Sequence, residues 1–240
     1  MAQEEKEPYC RLERRGNFFV LTLIGDGEHR INPPLVDAIL ACLQTLRSLS
    51  SPSTCTALIT TGHGKFFSNG LDLAFPSRDA VRRKFAELLS AYINLPMPTI
   101  AAVCGHAAAA GFILALAHDY VYMRKDRGFL YMSEIDVRIL IPPGPMNIIR
   151  SKLTPRAFRD AVLCGIKHTA GMALEAGIVD SMHGNAESTR EAAFSKAEEL
   201  VARKWNPDFY REMRAAMYPE VFAAISKTLE DSDVSAMSKL

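Results

Sequence analysis

Apolar runs and amphipathic stretches alternate along the first half of the chain. Phe18 to Ile24 (FFVLTLI) is a β-rich run between Gly16 and Gly25, which predicts a strand. Asp37 to Leu49 places Ile39, Leu40, Leu43, Leu46 and Leu49 at helical spacing. Ala57 to Thr61 (ALITT) predicts a buried strand, ended by Gly62-His63-Gly64. Asp79 to Tyr92 puts Phe85, Leu88, Leu89 and Tyr92 on one helical face, and Pro96 and Pro98 stop it. Thr99 to Cys104, a short helix over Phe112 to His118, and a strand over Asp119 to Met123 continue the alternation. Such an order implies an α/β fold with mostly parallel strands. From Ala157 onward the pattern is helical, over Phe158 to Cys164, Ala170 to Ala176, Thr189 to Lys204 and Pro207 to Leu229. The expected division is a core over 1–188 and a C-terminal helical region over 189–240.

A chain of 240 residues suits one large α/β domain or one domain with a helical extension. Hydrophobic residues at 48% and charged residues at 23% exclude disordered, collagen-like and coiled-coil classes. The net charge of +1 argues against a nucleic-acid or membrane-surface binder, yet allows a local basic patch for an anionic small molecule. The longest apolar stretch, Ile100 to Ala117, is interrupted by Gly105, His106 and Gly111 and falls short of the roughly 20 residues a membrane span needs. The polar, acidic start lacks a secretory h-region. Cys10, Cys42, Cys55, Cys104 and Cys164 form no CxxC pair and no metal-ligand spacing with histidine. The expectation is free thiols, buried in apolar surroundings for the last four, in a reducing compartment. The last residues, Ser238-Lys239-Leu240, match the peroxisomal address read by an import receptor.

Three segments carry candidate chemistry. Gly62 to Leu73 is a turn-rich loop after a strand. Ala102 to Phe112 passes from strand through small residues into a helix, whose first N–H groups lack intrahelical partners. Tyr131 to Val137 places Glu134 among apolar neighbours, where burial would raise its pKa into a range useful for proton transfer. Backbone donors on two loops and one carboxylate are the minimal equipment for abstracting a proton beside a carbonyl. An ordinary βα turn, an alanine-rich packing helix and a surface glutamate are the plainer readings of the same three segments.

KFFSNGLDL (Lys65 to Leu73), AAVCGHAAAAGFILALAHDYVYM (Ala101 to Met123, with Asp119 in the matching place) and Gly128 to Pro142 resemble, in order and spacing, three segments of the enoyl-CoA hydratase/isomerase (crotonase) superfamily. The resemblance runs over roughly residues 10–185. It implies an α/β crotonase-like spiral of ββα turns with a helical C-terminal region, assembly as a homotrimer or hexamer, and a CoA thioester substrate. By position, the backbone N–H groups of Leu71 and Ala110 would form the oxyanion hole. Lys65, Ser68, Asn69, Gly70, Leu71, Asp72 and Ala110 would bind substrate. No resident cofactor is implied, since CoA is part of the substrate; no metal, nicotinamide or flavin is expected, and no GxGxxG follows a strand.

Family hydratases use two glutamates to split water. The first corresponds to Ile113, which cannot activate water; the second corresponds to Glu134. One carboxylate in an apolar pocket resembles the Δ3,Δ2-enoyl-CoA isomerases of fatty-acid β-oxidation, in which a single base shuttles a proton. Phe112, Ile113, Phe129, Leu130 and Met132 are candidates for the acyl pocket, with plain core packing the alternative for each. Arg78, Arg82, Arg83 and Lys84, with Lys65, are candidates for phosphate contact, and a solvated helix face is their alternative. The His29-Arg30-Ile31 segment would border the adenine end. On an extended chain Asp136 would share a face with Glu134, leaving open a nucleophile or partner-acid role. Tyr131 is a further possible donor, though more often packing. Ser68, His63 and Asp72 do not make a hydrolytic triad, because the chain has no GxSxG elbow. His106 and His118 read as residues that satisfy backbone partners. A dienoyl-CoA isomerase, an acyl-CoA hydrolase and a non-catalytic acyl-CoA binding or scaffold subunit are the competing functions.

Overall fold

A computed structural model describes residues 9–49 and 55–237, with side chains described to residue 230. The Ser-Lys-Leu terminus lies outside the described residues. β1 (Cys10–Arg15) and β2 (Phe18–Leu23) form an antiparallel hairpin, and α1 (Pro33–Leu49) follows. The chain then repeats one unit. β3 (Ala57–Gly62) leads into β4 (Phe66–Ser68) and α2 (Arg78–Ile93). β5 (Thr99–Val103) leads into β6 (His106–Ala108) and α3 (Ala110–Leu116). β7 (Tyr120–Arg124) leads into β8 (Leu130–Tyr131) and the single turn α4 (Glu134–Val137). First strands join the larger sheet, in the order β1-β2-β3-β5-β7 with β9 (Ser181–His183) at the far edge, and second strands form the small sheet β4-β6-β8. Among the named strands every pairing after the first hairpin is parallel, and one isolated antiparallel bridge joins Leu130 to His168. This is the spiral of ββα turns, and the mostly parallel α/β expectation holds.

The strands read as unbroken apolar runs because both faces of the large sheet are covered. Phe19, Leu21, Leu23, Leu58, Ala101, Val103, Val121 and Met123 face the main core with α1, α2 and α3. Phe18, Val20, Ala57, Ile59, Ile100 and Ala102 alternate with them and face α8 (Ala186–Ala202) through Ala193, Ala197, Leu200 and Val201. Three helices fill the stretch between α4 and α8: α5 (Pro143–Lys152), α6 (Pro155–Cys164) and α7 (Ala170–Glu175).

The stretch over Pro207 to Leu229 is two helices, α9 (Pro207–Met217) and α10 (Pro219–Met237), separated at Tyr218. Pro219 has no N–H to continue α9 and pushes Tyr218 out of the helical region, to φ −130° and ψ 51°. The edge strand β1, the small-sheet strands, β9, α4 and α5 were not anticipated. The small-sheet strands are two or three residues long, too short for periodicity to register.

α9 is tied to the core by one buried ion pair. Arg214 is 5% exposed, and its Nε donates to Asp119 Oδ1 at 2.9 Å. The rest of the guanidinium reaches the other Asp119 oxygen and the carbonyls of Ile93, Leu95 and Met97. Asp119 also accepts the Thr99 N–H at 2.9 Å and the Tyr210 hydroxyl at 3.2 Å. Burial raises the Asp119 carboxyl, but the Arg214 charge and hydrogen bonds outweigh it and hold the group below the usual carboxylate range. The terminal helices are thereby fixed to the start of β7 and the end of α2. Arg214→Ala leaves that carboxylate buried and unpaired, so stability in urea should fall by about 3–5 kcal/mol. Adding Asp119→Leu should recover much of the loss.

Candidate active site

The site forms where the small sheet brings two loops into backbone contact. Ile31 N donates to Gly70 O at 2.8 Å, and Asp72 N donates to Ile31 O at 2.9 Å. In this one-residue parallel bridge the Leu71 N–H points away from Ile31, and it has no hydrogen-bond partner among the described residues. Ala110 is the first residue of α3, where a helix leaves its N–H unbonded. A Cβ added to Gly70 would lie 3.1 Å from Ala108 O and 3.5 Å from Ala110 N, so the two donor segments touch. Gly70 has φ +78°, which favours glycine.

The alanines in the helix-opening segment are not equivalent. Ala109, the residue before α3, has φ 51° and ψ −121°, a conformation that glycine adopts freely and alanine only under constraint. Three hydrogen bonds impose it. The Ala109 N–H donates to Tyr131 O at 2.8 Å, and the Phe112 and Ile113 N–H groups donate to Ala109 O at 2.9 and 3.1 Å. Gly111 is required for a different reason. A Cβ there would stand 2.3 Å from Ser68 O, because α3 starts directly on β4.

Loop 24–32 braces the Leu71 turn from outside. His29 is buried with its Nδ1 3.0 Å from Phe66 O and 3.2 Å from Phe67 O, and burial lowers its pKa and keeps the ring neutral. Ser68 Oγ donates to His29 O at 2.8 Å, and Asn69 N donates to Glu28 O at 2.8 Å.

Beside the two donors lies a cavity of about 230 Å³, lined in part by Leu71, Ala110, Val81, Tyr131, Val137 and Glu134. Glu134 opens the one-turn helix α4. Its Oε2 is buried without a hydrogen-bond partner. Burial raises its pKa, and the Ser133 and Glu134 backbone N–H groups offset this only in part. Asp72 is the other carboxylate of the lining, but Asn32 Nδ2 donates to its Oδ2 and Ala74 N to its Oδ1, both at 3.2 Å. Glu134 is thus the carboxylate left available for proton transfer.

Several expectations are corrected. Asp136 does not share a face with Glu134, because residues 134–137 are helical and not extended; Asp136 is exposed and outside the cavity lining. Phe112, Ile113, Leu130 and Met132 are core, each at most 2% exposed, Phe129 stacks near His106, and none lines the cavity. The apolar wall comes instead from Leu71, Leu73, Val81, Val137 and Ile139. Val81 is a buried position of α2 that the sequence reading did not single out, and Val137 and Ile139 depend on an unanticipated turn.

Asn69, Leu71, Asp72 and Ala110 line the cavity, whereas Ser68 and Gly70 shape the turn beneath it. Lys65 stands over the Phe66 ring, outside the lining. The basic cluster splits. Arg78 and Arg82 line the cavity, as does Arg30, while Arg83 and Lys84 pair with Glu87 and Lys84 also with Asp37. His29 and Ile31 are buried away from the cavity. His118 bonds Leu114 O and Thr60 Oγ1, as its reading required in part, while His106 packs between Phe66 and Phe129. Cys164 is exposed and Cys42 and Cys55 are half-buried, contrary to the expectation of buried thiols.

Two unpartnered backbone N–H groups and one buried carboxylate thus border a single cavity on stacked ββα turns, an architecture of the crotonase class. The enoyl-CoA hydratase/isomerase family model matches residues 31–232, and the chain belongs to that family. The chain is 50% identical over 218 residues to the peroxisomal enoyl-CoA delta isomerase 1 of Arabidopsis thaliana, covering 88% of this chain and 90% of that one. It is 44% identical to enoyl-CoA delta isomerase 3 of the same plant, over 91% and 96% of the two chains. It is also 44% identical to the peroxisomal enoyl-CoA delta isomerase 2, over 88% and 93%. These relatives place the chain with the isomerases of the family. In fold it is similar to a solved enoyl-CoA isomerase from Mycobacterium tuberculosis, with TM-score 0.85 at 21% identity over 95% and 98% of the chains. A Mycobacterium marinum enoyl-CoA hydratase gives TM-score 0.84 at 20% identity, over 94% and 98%.

Gly111→Ala should destabilise the protein by about 3 kcal/mol and abolish turnover, read by thermal melting and assay. Ala109→Gly relieves an unfavourable φ and should melt no lower than the unaltered protein.

Proposed function

We propose that the chain is a Δ3,Δ2-enoyl-CoA isomerase in which Glu134 alone moves the proton. The observation that carries this reading is the buried, unpartnered Glu134 Oε2 in a cavity whose other carboxylate is already hydrogen-bonded. The thioester oxygen accepts the Leu71 and Ala110 N–H groups. Ionised Glu134 takes a proton from C2; the C–H electron pair moves into the C1–C2 bond, the carbonyl pair moves onto the thioester oxygen, and conjugation with the C3–C4 double bond extends the charge to C4. The resulting dienolate is held by the two donors, each worth about 10²–10³ in rate. The glutamic acid then returns the same proton to C4, leaving the double bond at C2–C3. No water enters the balance. Ile113 stands where a hydratase would hold its first glutamate, and it is buried in α3.

Arg30, Arg78 and Arg82 border the cavity and supply positive charge for CoA phosphates. Ser238-Lys239-Leu240 serves as a peroxisomal import signal, a reading supported by the naming of two of the three Arabidopsis relatives as peroxisomal. The chain works as a homotrimer or hexamer, as the family resemblance implies.

The test is incubation with a 3-enoyl-CoA, a 2-enoyl-CoA and a saturated acyl-CoA. The expected result is conversion of the first to a 2-enoyl-CoA, and a fall in kcat of about 10²–10⁴ for Glu134→Gln. Hydration of 2-enoyl-CoA, release of free thiol, or full activity in Glu134→Gln would overturn the assignment.

Since the base must be ionised, kcat/KM should rise with pH through a midpoint above the ordinary carboxyl range. The folded state binds this proton more tightly than the unfolded chain, so the ionised form destabilises the fold above the ordinary carboxyl pKa and has no such effect well below it. Glu134→Gln should therefore melt higher than the unaltered protein at neutral pH, with the difference vanishing in acid.

A further inference from the structure

Outside the catalytic cavity, two thiols from different elements stand together. Cys10 begins β1 and Cys42 lies in α1, and their sulfurs are 3.7 Å apart. Cys10 is buried in the core, whereas Cys42 is half-buried and lines an open surface pocket of about 230 Å³ with Leu12, Arg14, Phe19 and Thr45. That volume holds a molecule the size of hydrogen peroxide several times over, since water occupies about 30 Å³. One sulfur is thus open to a small oxidant, and the second lies behind it in the protein interior.

We propose that Cys10 and Cys42 are a dithiol that hydrogen peroxide oxidises to a disulfide, stapling β1 to α1. The Cys42 thiolate attacks one peroxide oxygen. The O–O bond breaks, and the departing hydroxide takes up a proton and leaves as water. Cys42 is then a sulfenic acid. The Cys10 sulfur attacks the Cys42 sulfur, the S–O bond breaks as the S–S bond forms, and hydroxide leaves with the Cys10 proton as a second water. Two thiols lose two electrons, and one peroxide becomes two waters.

The division of roles follows from the surroundings. The hydrogen bond from Cys10 lowers the Cys42 thiol to about 7, against an opposing effect of burial. The same bond and burial raise Cys10, so it stays protonated. The sulfurs must close from 3.7 Å to the disulfide length of about 2.0 Å. β1 is the edge strand of the large sheet, paired only with β2, so closing that gap breaks no strand pairing on its other side. The other cysteines are placed differently: Cys55 Sγ donates to Trp205 O, Cys104 Sγ to Ala186 O, and Cys164 is exposed on α6.

The full-length protein is treated with equimolar hydrogen peroxide, digested without reduction and analysed by mass spectrometry. The expected product is a linked Cys10–Cys42 peptide pair two mass units below the sum of its parts, with two of the five thiols lost to titration and restored by dithiothreitol. The oxidised protein should melt about 5–10 °C above the reduced one, and Cys42→Ser should lose both the link and the shift. Sulfinic or sulfonic acid on Cys42 with Cys10 unlinked, or a link through Cys164 between chains, would overturn the proposal. So would an unchanged thiol count.

Discussion

The site depends on how closely one turn of backbone can lie on the next. α3 starts so near to β4 that a methyl group on Gly111 would overlap the Ser68 carbonyl, and Gly105 meets the Lys65 carbonyl in the same way. Gly128 repeats the contact one turn further along, against the Gly105 carbonyl. Side chains at these points would hold the turns of the small sheet apart. With them absent, the Leu71 and Ala110 N–H groups arrive side by side without either being aimed by a side chain. A donor built in this way does not depend on residue identity at its own position, which is how alanines can stand throughout the segment before α3. The tolerance has a limit at Ala109, where the backbone has to be held at positive φ by three hydrogen bonds.

The fold treats two of its half-hidden carboxylates, Asp119 and Glu134, in opposite ways. Asp119 receives a guanidinium, two bonds from Thr99 and a tyrosine hydroxyl, and is held ionised as a fixed structural charge. Glu134 receives only weak help from its local backbone and is held closer to its neutral form. A carboxylate that must give and take one proton cannot be as well solvated by the protein as Asp119 is. The difference lies in placement: Asp119 sits where three elements converge, and Glu134 on a single helical turn that lines the cavity.

Much of this was legible in the chain. The long strands and helices announced themselves through apolar runs and helical spacing, because each buries one or two complete faces. The segments holding Leu71, Ala110 and Glu134 stood out by their small residues and isolated acid, Leu71 and Ala110 themselves were assigned by resemblance, and the structure brings all three to the lining of one cavity. What escaped was short or depended on neighbours. The small-sheet strands are stabilised by pairing and not by pattern. The turn at Glu134 looks extended in sequence, which gave Asp136 a false position. The apolar wall was assigned to Phe112 and Ile113, whose helix buries them completely, while the real wall draws Val81 from α2 and Ile139 from beyond α4. No local signal joins residues that are so far apart in the chain.

The Asp119–Arg214 pair spans 95 positions, and this has a bearing on how the protein is made. During synthesis Asp119 and the strands around it are complete long before Arg214 leaves the ribosome. Until then the partly assembled spiral cannot close over that carboxylate without burying a lone charge, so the junction between β7 and α2 stays hydrated. Arrival of α9 lets it dry. The last helices therefore act as the closing step of folding, and a chain cut short before them would be left with a wet seam through its core.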